Sequence, residues 1–403
     1  MIKANSLLYA VYVCLLVSIL CGALLYFSSL YTMLNTFYNT REEMYIQNQS
    51  AMNYGLSQGD TENTILNDEN GIVSSAEIKS YGLLNVIIVK SIFKKDTIAS
   101  AQLIGHYASD QTALYLTNFS NGLSYAGNVT LIGDKKLPSK FIDEKYVNNS
   151  LGNLKASGKI ELSTNVLPEI SSDFKKMFVA ETTTRILLKD IEMIKDSIYF
   201  NSFFNKAINV QLTSPLLQNK IIKGNFILHA KDSIVITAND VLEDVIVKAP
   251  VVRISKGFKG NIQVFADKKI MLEDNVTLSY PSVLCVYNTS AEKSQLVINE
   301  DSTVYGAVVL FGNPIHSLDD NSVLLKEKTK IVGVVYCTGK LMIGGSVYGS
   351  VYTNRIFSQT ASANYENCII NGNIDVTKRP DYFISISLFK NKNEPYGVFK
   401  KVL

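Results

Sequence analysis

The 403-residue chain is long enough for two ordinary domains or one long solenoid. Hydrophobic residues make up 47% of it and charged residues 19%, which excludes a largely disordered chain because so apolar a sequence buries a sizeable core. The net charge of +3 is too small to indicate binding to nucleic acid.

The chain begins with a long apolar run. No charged residue occurs from Ala4 to Thr40, and the stretch from Leu7 to Leu34 is almost wholly apolar. A helix needs roughly 20 such residues to cross a bilayer, whereas the apolar core of a secretory signal peptide has only about 7–15. The run therefore predicts an uncleaved, single-pass transmembrane anchor over residues 1–40.

The flanks of this run predict its orientation. Lys3 precedes it, and positive charge is typical of the cytoplasmic side of a membrane. We therefore expect a cytoplasmic N-terminus in the inner membrane and a body in the periplasm or outside the cell. Aromatic residues crowd the far end, as at a membrane interface: Tyr26, Phe27, Tyr31, Phe37 and Tyr38.

Two further segments separate the anchor from the last half of the chain. Tyr45, Ala51, Met52 and Leu56 recur at loosely helical intervals, which predicts a helical stalk over residues 41–60. Residues 61–215 carry strand-like stretches rich in β-branched residues and predict a β-rich exported region. A short helix is expected within this region from apolar residues near helical spacing: Ile186, Leu187, Ile191, Ile194 and Ile198.

Residues 216–377 carry short apolar runs at nearly regular spacing. Each run has the length of a short strand, and a few Asn, Asp, Gly, Lys or Ser residues separate it from the next. The intervals are too short for the crossover helices of an α/β sheet. They predict a parallel β-helix, with residues 378–403 as a C-terminal cap or tail in which Ile384–Phe389 covers the last coil.

One phrase recurs three times in this region. Its copies are VYGAVV at Val304–Val309, IVGVVY at Ile331–Tyr336 and VYGSVY at Val347–Tyr352. Gly306, Gly333 and Gly349 occupy the same place in each copy, where a sharp corner between two strands favours glycine. We expect the copies to stack coil on coil, with Tyr336 and Tyr352 as neighbours.

The stretch Gly333–Asn367 resembles the C-terminal region of pilus-assembly proteins of the PilX type. The matching positions are Gly333, Val335, Tyr336, Gly339, Gly349, Ser350, Val351 and Tyr365. The resemblance implies a single N-terminal apolar helix, a large exported domain and a role in assembly of a pilus or pseudopilus. Tyr9 stands where a type IV prepilin cut after Ala4 would have Glu. The glycine and valine rhythm is also similar to that of bactofilin-like polymer-forming β-helices.

Chemical motifs are weak in this sequence. His106, His229 and His316 have no zinc-ligand spacing, and neither a nucleophile elbow nor a phosphate-binding loop is present. Carboxylates that a glycan-cleaving β-helix would need are Asp240, Glu243, Asp244, Glu273, Asp274, Asp319 and Asp320. Solvated turns and faces are the simpler interpretation of these acids, so we expect no catalytic residue, metal or cofactor.

Three cysteines lie beyond the apolar run, at Cys285, Cys337 and Cys368. They cannot all pair within one chain, and their spacing fits no zinc motif. We expect small buried apolar side chains, while a bridge between Cys337 and Cys368 remains an open alternative.

These patterns favour a non-enzymatic, membrane-anchored structural or assembly protein of the cell envelope. Its partners would be the membrane, crossed by a single span, and proteins or further copies of itself, but not nucleic acid. The first alternative is a β-helix enzyme that acts on envelope or extracellular glycans. The second is a self-polymerising scaffold or adhesin.

Overall fold

The computed structural model describes residues 4–59, 64–67, 71–108, 110–147, 152–171, 174, 178, 184–194, 198–288, 290, 292–312, 321–381, 383–386, 388–389 and 395–402. The protein is mainly β, with one long N-terminal helix and a large parallel sheet. It divides into two units. Unit 1 contains Met1–Gly55, Glu62–Glu77 and Val89–Ser100, and unit 2 contains Leu56–Thr61, Ile78–Ile88 and Ala101–Leu403.

The helix α1 is Ala4–Gln58. The strands are β1 (Thr64–Asn67), β2 (Val73–Tyr81), β3 (Leu84–Phe93), β4 (Asp96–Tyr107), β5 (Thr112–Leu116), β6 (Ser124–Ala126), β7 (Asn128–Ile132), β8 (Asp134–Leu137), β9 (Asp143–Glu144), β10 (Asn153–Ser157), β11 (Ile160–Leu162), β12 (Ile186–Leu187), β13 (Ile198–Asn201), β14 (Ile208–Gln211), β15 (Leu216–Leu217), β16 (Ile221–Gly224), β17 (Phe226–His229), β18 (Ser233–Ile236), β19 (Val241–Lys248), β20 (Val251–Ile254), β21 (Lys259–Ala266), β22 (Lys269–Leu272), β23 (Thr277–Asn288), β24 (Ser294–Ile298), β25 (Thr303–Gly312), β26 (Asn321–Leu325), β27 (Lys330–Ile343), β28 (Ser346–Gln359), β29 (Asn364–Glu366), β30 (Cys368–Ile370), β31 (Asn373–Asp375), β32 (Ile384–Ser385) and β33 (Tyr396–Val402).

Helix α1 joins the predicted anchor and the predicted stalk into one continuous element. Its 55 residues span about 80 Å at 1.5 Å per residue. The large apolar side chains between Leu7 and Tyr38 are exposed, and the most apolar window has a mean hydropathy of 2.5 with none of it buried. By length and composition, α1 is therefore able to cross a membrane.

The second part of α1 packs within unit 1. Met44, Ala51 and Met52 are almost fully buried on one helix face. Asn48 lies among them, and its Nδ2 is 3.4 Å from the carbonyl oxygen of Val89 and 3.3 Å from that of Ile98. This buried amide ties the helix to β3 and β4 by hydrogen bonds that an apolar side chain cannot form.

Replacing Asn48 with leucine is expected to lower the free energy of unfolding by about 2–4 kcal/mol, because buried partners lose their hydrogen bonds. Those partners include Ser91 Oγ at 3.3 Å from Nδ2 and Ser100 Oγ, which donates to Asn48 Oδ1 at 2.6 Å. Faster hydrogen exchange in β3 and β4 would report the loss. Gln49→Leu is the control, because exposed Gln49 bonds to Asn53 within the helix. Equal effects of both changes would contradict the prediction.

The first sheet has the order β1-β2-β3-β4-β32, and β33 also pairs with β4. β32 and β33 both run antiparallel to β4. The segment 378–403, expected to cap or trail the solenoid, therefore contributes two strands to this antiparallel sheet.

The second sheet has 24 strands in the described residues and forms a solenoid whose coils stack in parallel, while β29 pairs antiparallel with β28. Each coil has three strand positions. β16 pairs with the start of β19, β17 pairs with the end of β19, and β18 pairs with β20. The same three-position pattern continues coil by coil to β27, whose start pairs with β25 and whose end pairs with β26.

The second strand position is buried on both sides. Its inward row fills the solenoid core: Leu228, Val247, Val264, Leu284, Val308, Val335 and Val351. The alternate row points out of the solenoid and belongs to a second apolar cluster: Ile246, Phe265, Val283, Cys285, Ala307, Val309, Val334, Tyr336, Tyr352 and Tyr115. Burial of both rows explains why these strands read as continuous apolar runs rather than as alternating ones.

Two distant parts of the chain complete one coil. β31 pairs with the start of β28, whereas the second strand position on β28 is taken by β5. β7 and β8 then stack on β31 and β5, and β10 and β11 stack on β7 and β8. The parallel solenoid therefore extends well beyond the expected residues 216–377 and includes strands from residues 112–162.

The helix expected around Ile186–Ile198 is not formed in the described part of that segment. Ile186 and Leu187 form β12, a single 3₁₀ turn follows at Leu188–Asp190, and Ile198 begins β13. β12 and β13 pair in parallel with β14 and β16, so hydrogen bonding to the next coil overrides the weak helical spacing.

Candidate functional site

The repeated glycines form a column through three coils. Gly306 is the partner of Gly333, and Gly333 is the partner of Gly349. Their φ angles are 141°, 141° and 152°, which favour glycine. A Cβ on Gly333 would lie 1.9 Å from the carbonyl oxygen of Gly306, and one on Gly349 would lie 1.9 Å from that of Gly333. The expectation that these phrases are neighbours in register is confirmed.

Tyrosines follow this column on the outward side of the second strand position. Tyr336 pairs with Tyr352, and Tyr352 pairs with Tyr115. The rings of Tyr115 and Tyr352 stack with centroids 6.1 Å apart, and Phe389 packs on Tyr352 at 4.7 Å. Burial raises the pKa of both Tyr336 and Tyr352, so each hydroxyl stays protonated at neutral pH.

A small cavity of about 250 Å³ lies beside Tyr352. The Tyr352 hydroxyl donates a hydrogen bond to Asp110 Oδ2. Arg379 Nη2 donates to the carbonyl oxygens of Ala108 at 2.8 Å and Asp110 at 3.0 Å. These contacts hold Ala108 and Asp110, which follow β4, against β28. The polar atoms that form them already have hydrogen-bond partners within the protein.

The candidate catalytic acids that the structure describes mostly hold turns and ion pairs. Asp240 Oδ2 accepts hydrogen bonds from the backbone and hydroxyl of Thr237 at 2.7 and 2.8 Å. Glu273 pairs with Arg253 and accepts a hydrogen bond from the backbone of Lys256, which lowers the pKa of its carboxyl. Asp319, Asp320 and His316 lie outside the described residues.

Glu243 and Asp244 both form ion pairs with Lys400, a residue for which the sequence patterns predicted no such role. Lys400 Nζ lies 2.8 Å from both Glu243 Oε1 and Asp244 Oδ2, and Lys223 adds a second contact to Glu243 at 3.1 Å. The hydrogen bond from Lys400 lowers the pKa of Glu243, whereas burial raises the pKa of Asp244. Asp244 also accepts a hydrogen bond from Tyr81 through its carbonyl oxygen at 2.5 Å. This cluster fastens β33 and β2 to a solenoid corner.

The two described histidines lie apart. The ring of His106 stacks on Tyr396 with centroids 4.3 Å apart. His229 is buried, and its Nε2 is 2.9 Å from Asn209 Oδ1. Burial, together with the charges of Arg185 and Lys248, lowers the pKa of His229 to about 4. Among the described residues, no group of three or more His, Cys, Asp or Glu side chains is placed to hold a metal ion.

Acidification is expected to weaken the fold through His229. Its folded pKa of about 4 lies below the unfolded value of about 6.5, so neutral His229 stabilises the fold above pH 6.5 and this contribution is lost as the pH falls toward 4. We expect a loss of about 1–2 kcal/mol, because the effective dielectric response of the protein around the charged ring reduces the effect. Chemical denaturation of wild type and His229→Gln at pH 7 and pH 4.5 measures it. Parallel pH profiles of the two proteins would contradict the assignment.

The cysteines are free thiols. Cys285, Cys337 and Cys368 are buried, as expected for small apolar side chains, and the alternative bridge between Cys337 and Cys368 is not formed. Burial raises the pKa of Cys285 and raises that of Cys337 to about 12, so both remain protonated at neutral pH.

Three hydroxyls of α1, those of Ser18, Thr32 and Thr36, donate hydrogen bonds to backbone carbonyls of the helix itself. Ser18 Oγ donates to the Cys14 carbonyl at 2.8 Å, and Thr36 Oγ1 donates to the Thr32 carbonyl at 2.9 Å. Hydroxyls bonded in this way need no water, so they are compatible with a lipid environment.

The described features define a class: a mainly β protein with a parallel solenoid and a single N-terminal helix apolar enough to cross a membrane. No protein-family model and no curated protein matches the sequence. Among solved structures, the chain is similar to the competence-associated pilin ComZ from Thermus thermophilus, at 11% identity and a TM-score of 0.21. The match covers 84% of this chain and 86% of that chain. A TM-score this low carries no inference about architecture or function, and the resemblance to PilX-type proteins stays a prediction.

Proposed function

We propose that the protein is a membrane-anchored, non-enzymatic structural or assembly protein that presents its solenoid to protein partners. The observation that carries this proposal is the contrast along α1. Large apolar side chains from Leu7 to Tyr38 are exposed, whereas Met44, Asn48, Ala51 and Met52 are buried within unit 1. The first part of the helix has an apolar surface that needs lipid or other apolar helices around it, and the second part is already packed.

The structure of the solenoid supports a role in which its surface is presented to protein partners. Both rows of its second strand position are buried, and the coil at β28 is closed by strands from two parts of the chain. A solenoid fixed in this way offers partners a surface whose side chains need little reordering on binding. Surfaces of this kind bind proteins through strand rows or loops.

A non-enzymatic role is favoured by the contacts of the candidate acids. Glu243 and Asp244 are ion-paired with Lys400, Glu273 is paired with Arg253, and Asp240 caps a turn. A retaining or inverting glycosidase instead needs one carboxyl to give a proton to the substrate and another to face it.

Assembly of a pilus or pseudopilus is the more specific form of this proposal. An apolar helix surface that is exposed in this way suits side-by-side packing with the helices of other subunits. End-to-end polymerisation of the solenoid is the alternative: the strands at one end, β10 and β11, expose the charged residues Lys155 and Glu161 and also the apolar Leu162. Charged side chains on a terminal strand oppose edge-to-edge pairing.

Fractionation of bacteria that express the full chain tests the proposal. We expect the protein to stay with membranes after alkaline carbonate washing. Protease added to intact spheroplasts should remove a tag placed after Leu403 but spare one placed before Met1. Recovery in the soluble fraction would overturn the anchor, and protection of the C-terminal tag would overturn export.

A further inference from the structure

Unit 1 contains a cavity of about 420 Å³ between α1 and the hairpin that joins β3 to β4. Its apolar lining consists of Met33, Phe37 and Met44 from the helix and Phe93 and Ile98 from the hairpin. Met33 is 72% exposed and Phe37 is 43% exposed, whereas Met44 is buried. The cavity therefore lies where the exposed apolar surface of α1 gives way to the packed part of the helix.

The cavity also lies at the level where a membrane surface would meet α1. The apolar stretch Leu7–Leu34 is about 42 Å long as a helix, and a bilayer measures about 40–45 Å with both headgroup layers included. In a membrane crossed by this stretch, Met33 and Phe37 lie in the headgroup layer farther from the N-terminus. This placement rests on the membrane anchor of the proposed function.

The β3–β4 hairpin runs toward the same level. Asn48 contacts the carbonyl oxygens of Val89 and Ile98, which belong to β3 and β4. The two strands are joined by the turn Lys94–Lys95, and Lys94 lines the cavity together with Arg41, which precedes Asn48 by about 10 Å along the helix. The turn of the hairpin therefore reaches the edge of the exposed apolar surface.

Positive charge is concentrated at this edge. Arg41, Lys94 and Lys95 are all exposed, and the first two line the cavity. Asp96 is the only acid among the described lining residues, and the acidic pair Glu42–Glu43 is not part of the lining. Cations therefore outnumber acids around the cavity, which favours an anionic ligand.

The two lining cations contact aromatic rings and keep hydrogen-bond donors for a ligand. The guanidinium carbon of Arg41 is 6.0 Å from the centroid of the Phe37 ring, and Lys94 Nζ is 4.9 Å from that of Phe93. A ring contacts only one side of a cation, while a guanidinium has five N–H donors and an ammonium has three. Donors of both groups can therefore point to an oxygen of a ligand.

We propose that this cavity binds the headgroup of an anionic phospholipid. The phosphate accepts hydrogen bonds from Arg41 and Lys94, and the first part of an acyl chain packs on the exposed side chains of Met33 and Phe37. A soluble anion would leave the apolar side chains uncovered, and an apolar helix of a second copy would not pair with the two cations. A phospholipid matches both features, and its binding holds unit 1 at the membrane surface.

The test uses a single fluorophore in the cavity. The chain has no tryptophan, so Phe93→Trp introduces the only one and keeps an aromatic ring beside Lys94. The full chain is placed in phosphatidylcholine nanodiscs that contain a small, equal fraction of spin-labelled phosphatidylglycerol or spin-labelled phosphatidylcholine, with the label on the acyl chain close to the headgroup. We expect the anionic lipid to quench the fluorescence at least about twofold more strongly, because basic groups near the surface attract anionic lipid.

Further changes in the Phe93→Trp background locate the lipid. Lys94→Gln should reduce the preference for phosphatidylglycerol, and Arg41→Gln/Lys94→Gln should abolish it. Lys90→Gln is the matched control, because exposed Lys90 lies on the same hairpin but does not line the cavity. It is about 13 Å from Lys94 along β3, farther than the screening length of about 8 Å at physiological salt, and should leave the preference unchanged. Thermal unfolding checks that each variant is folded.

The possible failures of the two proposals are distinguishable. A reporter protein that does not enter nanodiscs would contradict the membrane anchor, and the lipid site with it. Entry into nanodiscs with equal quenching by the two lipids, or a preference that survives in Arg41→Gln/Lys94→Gln, would overturn the lipid site alone. Weak quenching by both lipids in nanodiscs that hold two copies of the chain would also overturn it and would assign the cavity to the helix of a second copy.

Discussion

Replacing Gly333 with valine is expected to unfold the solenoid around β25, β27 and β28. A Cβ at Gly333 would meet the Gly306 carbonyl oxygen at 1.9 Å, and that backbone atom is held in place by parallel pairing. The φ of 141° adds strain for any residue with a side chain. Overpacking against fixed backbone together with this strain should cost about 3–5 kcal/mol, a large part of the stability of an ordinary domain.

Chemical denaturation and hydrogen exchange of the full chain measure this effect. Gly257→Ala is the matched control, because Gly257 also has a positive φ, of 80°, but a Cβ there meets nothing within 4 Å. The Gly257→Ala variant therefore measures backbone strain without a steric clash. It should lower the free energy of unfolding by about 1 kcal/mol. If Gly333→Val and Gly257→Ala lower the free energy of unfolding by similar amounts, close approach of neighbouring coils is not the reason for glycine at position 333.

Placing two arginines in the apolar part of α1 is expected to release the protein from membranes. Val17 and Leu24 are both exposed on the helix. An arginine near the centre of a membrane helix costs about 3 kcal/mol relative to water, and each replaced apolar residue also loses its favourable transfer, so the pair costs about 6–8 kcal/mol. The double variant Val17→Arg/Leu24→Arg should therefore appear mainly in the soluble or aggregated fraction.

Carbonate extraction followed by quantitative immunoblotting measures this shift. Ile46→Arg is the control, because Ile46 is exposed on the same helix but lies beyond its most apolar part. That variant should remain with the membranes. Retention of the double variant in washed membranes would show that α1 is not the anchor.

The stacking of neighbouring coils was predicted correctly from local repetition in the sequence. The three Gly-centred phrases predicted neighbouring strands, and Gly306, Gly333 and Gly349 indeed pair in consecutive coils. The prediction worked because stacked coils repeat the same packing, so the same residue types recur at the same place in each coil. The apolar run of α1 was equally clear, since its length alone distinguishes it from a strand.

Contacts between distant segments were not predictable in this way. Nothing in β5 indicates that it pairs with Val351–Thr353 of β28, because parallel strands of this length look alike in sequence. From the sequence, Lys400 is one of several basic residues near the C-terminus. In the structure it forms ion pairs with Glu243 and Asp244. The cavity lined by Arg41 and Lys94 was missed as well, since its walls come from segments that are separate in the chain.

The coil shared by β5 and β31 also constrains the order of events during biosynthesis. Thr117, just after β5, lies 237 residues before its partner Asn354. At roughly 5–20 residues per second, a ribosome needs about 12–47 s to make that stretch. Over this interval β5 is without the neighbour that completes its coil, so its unpaired edge is open to aggregation, and a chaperone that binds this strand would protect it.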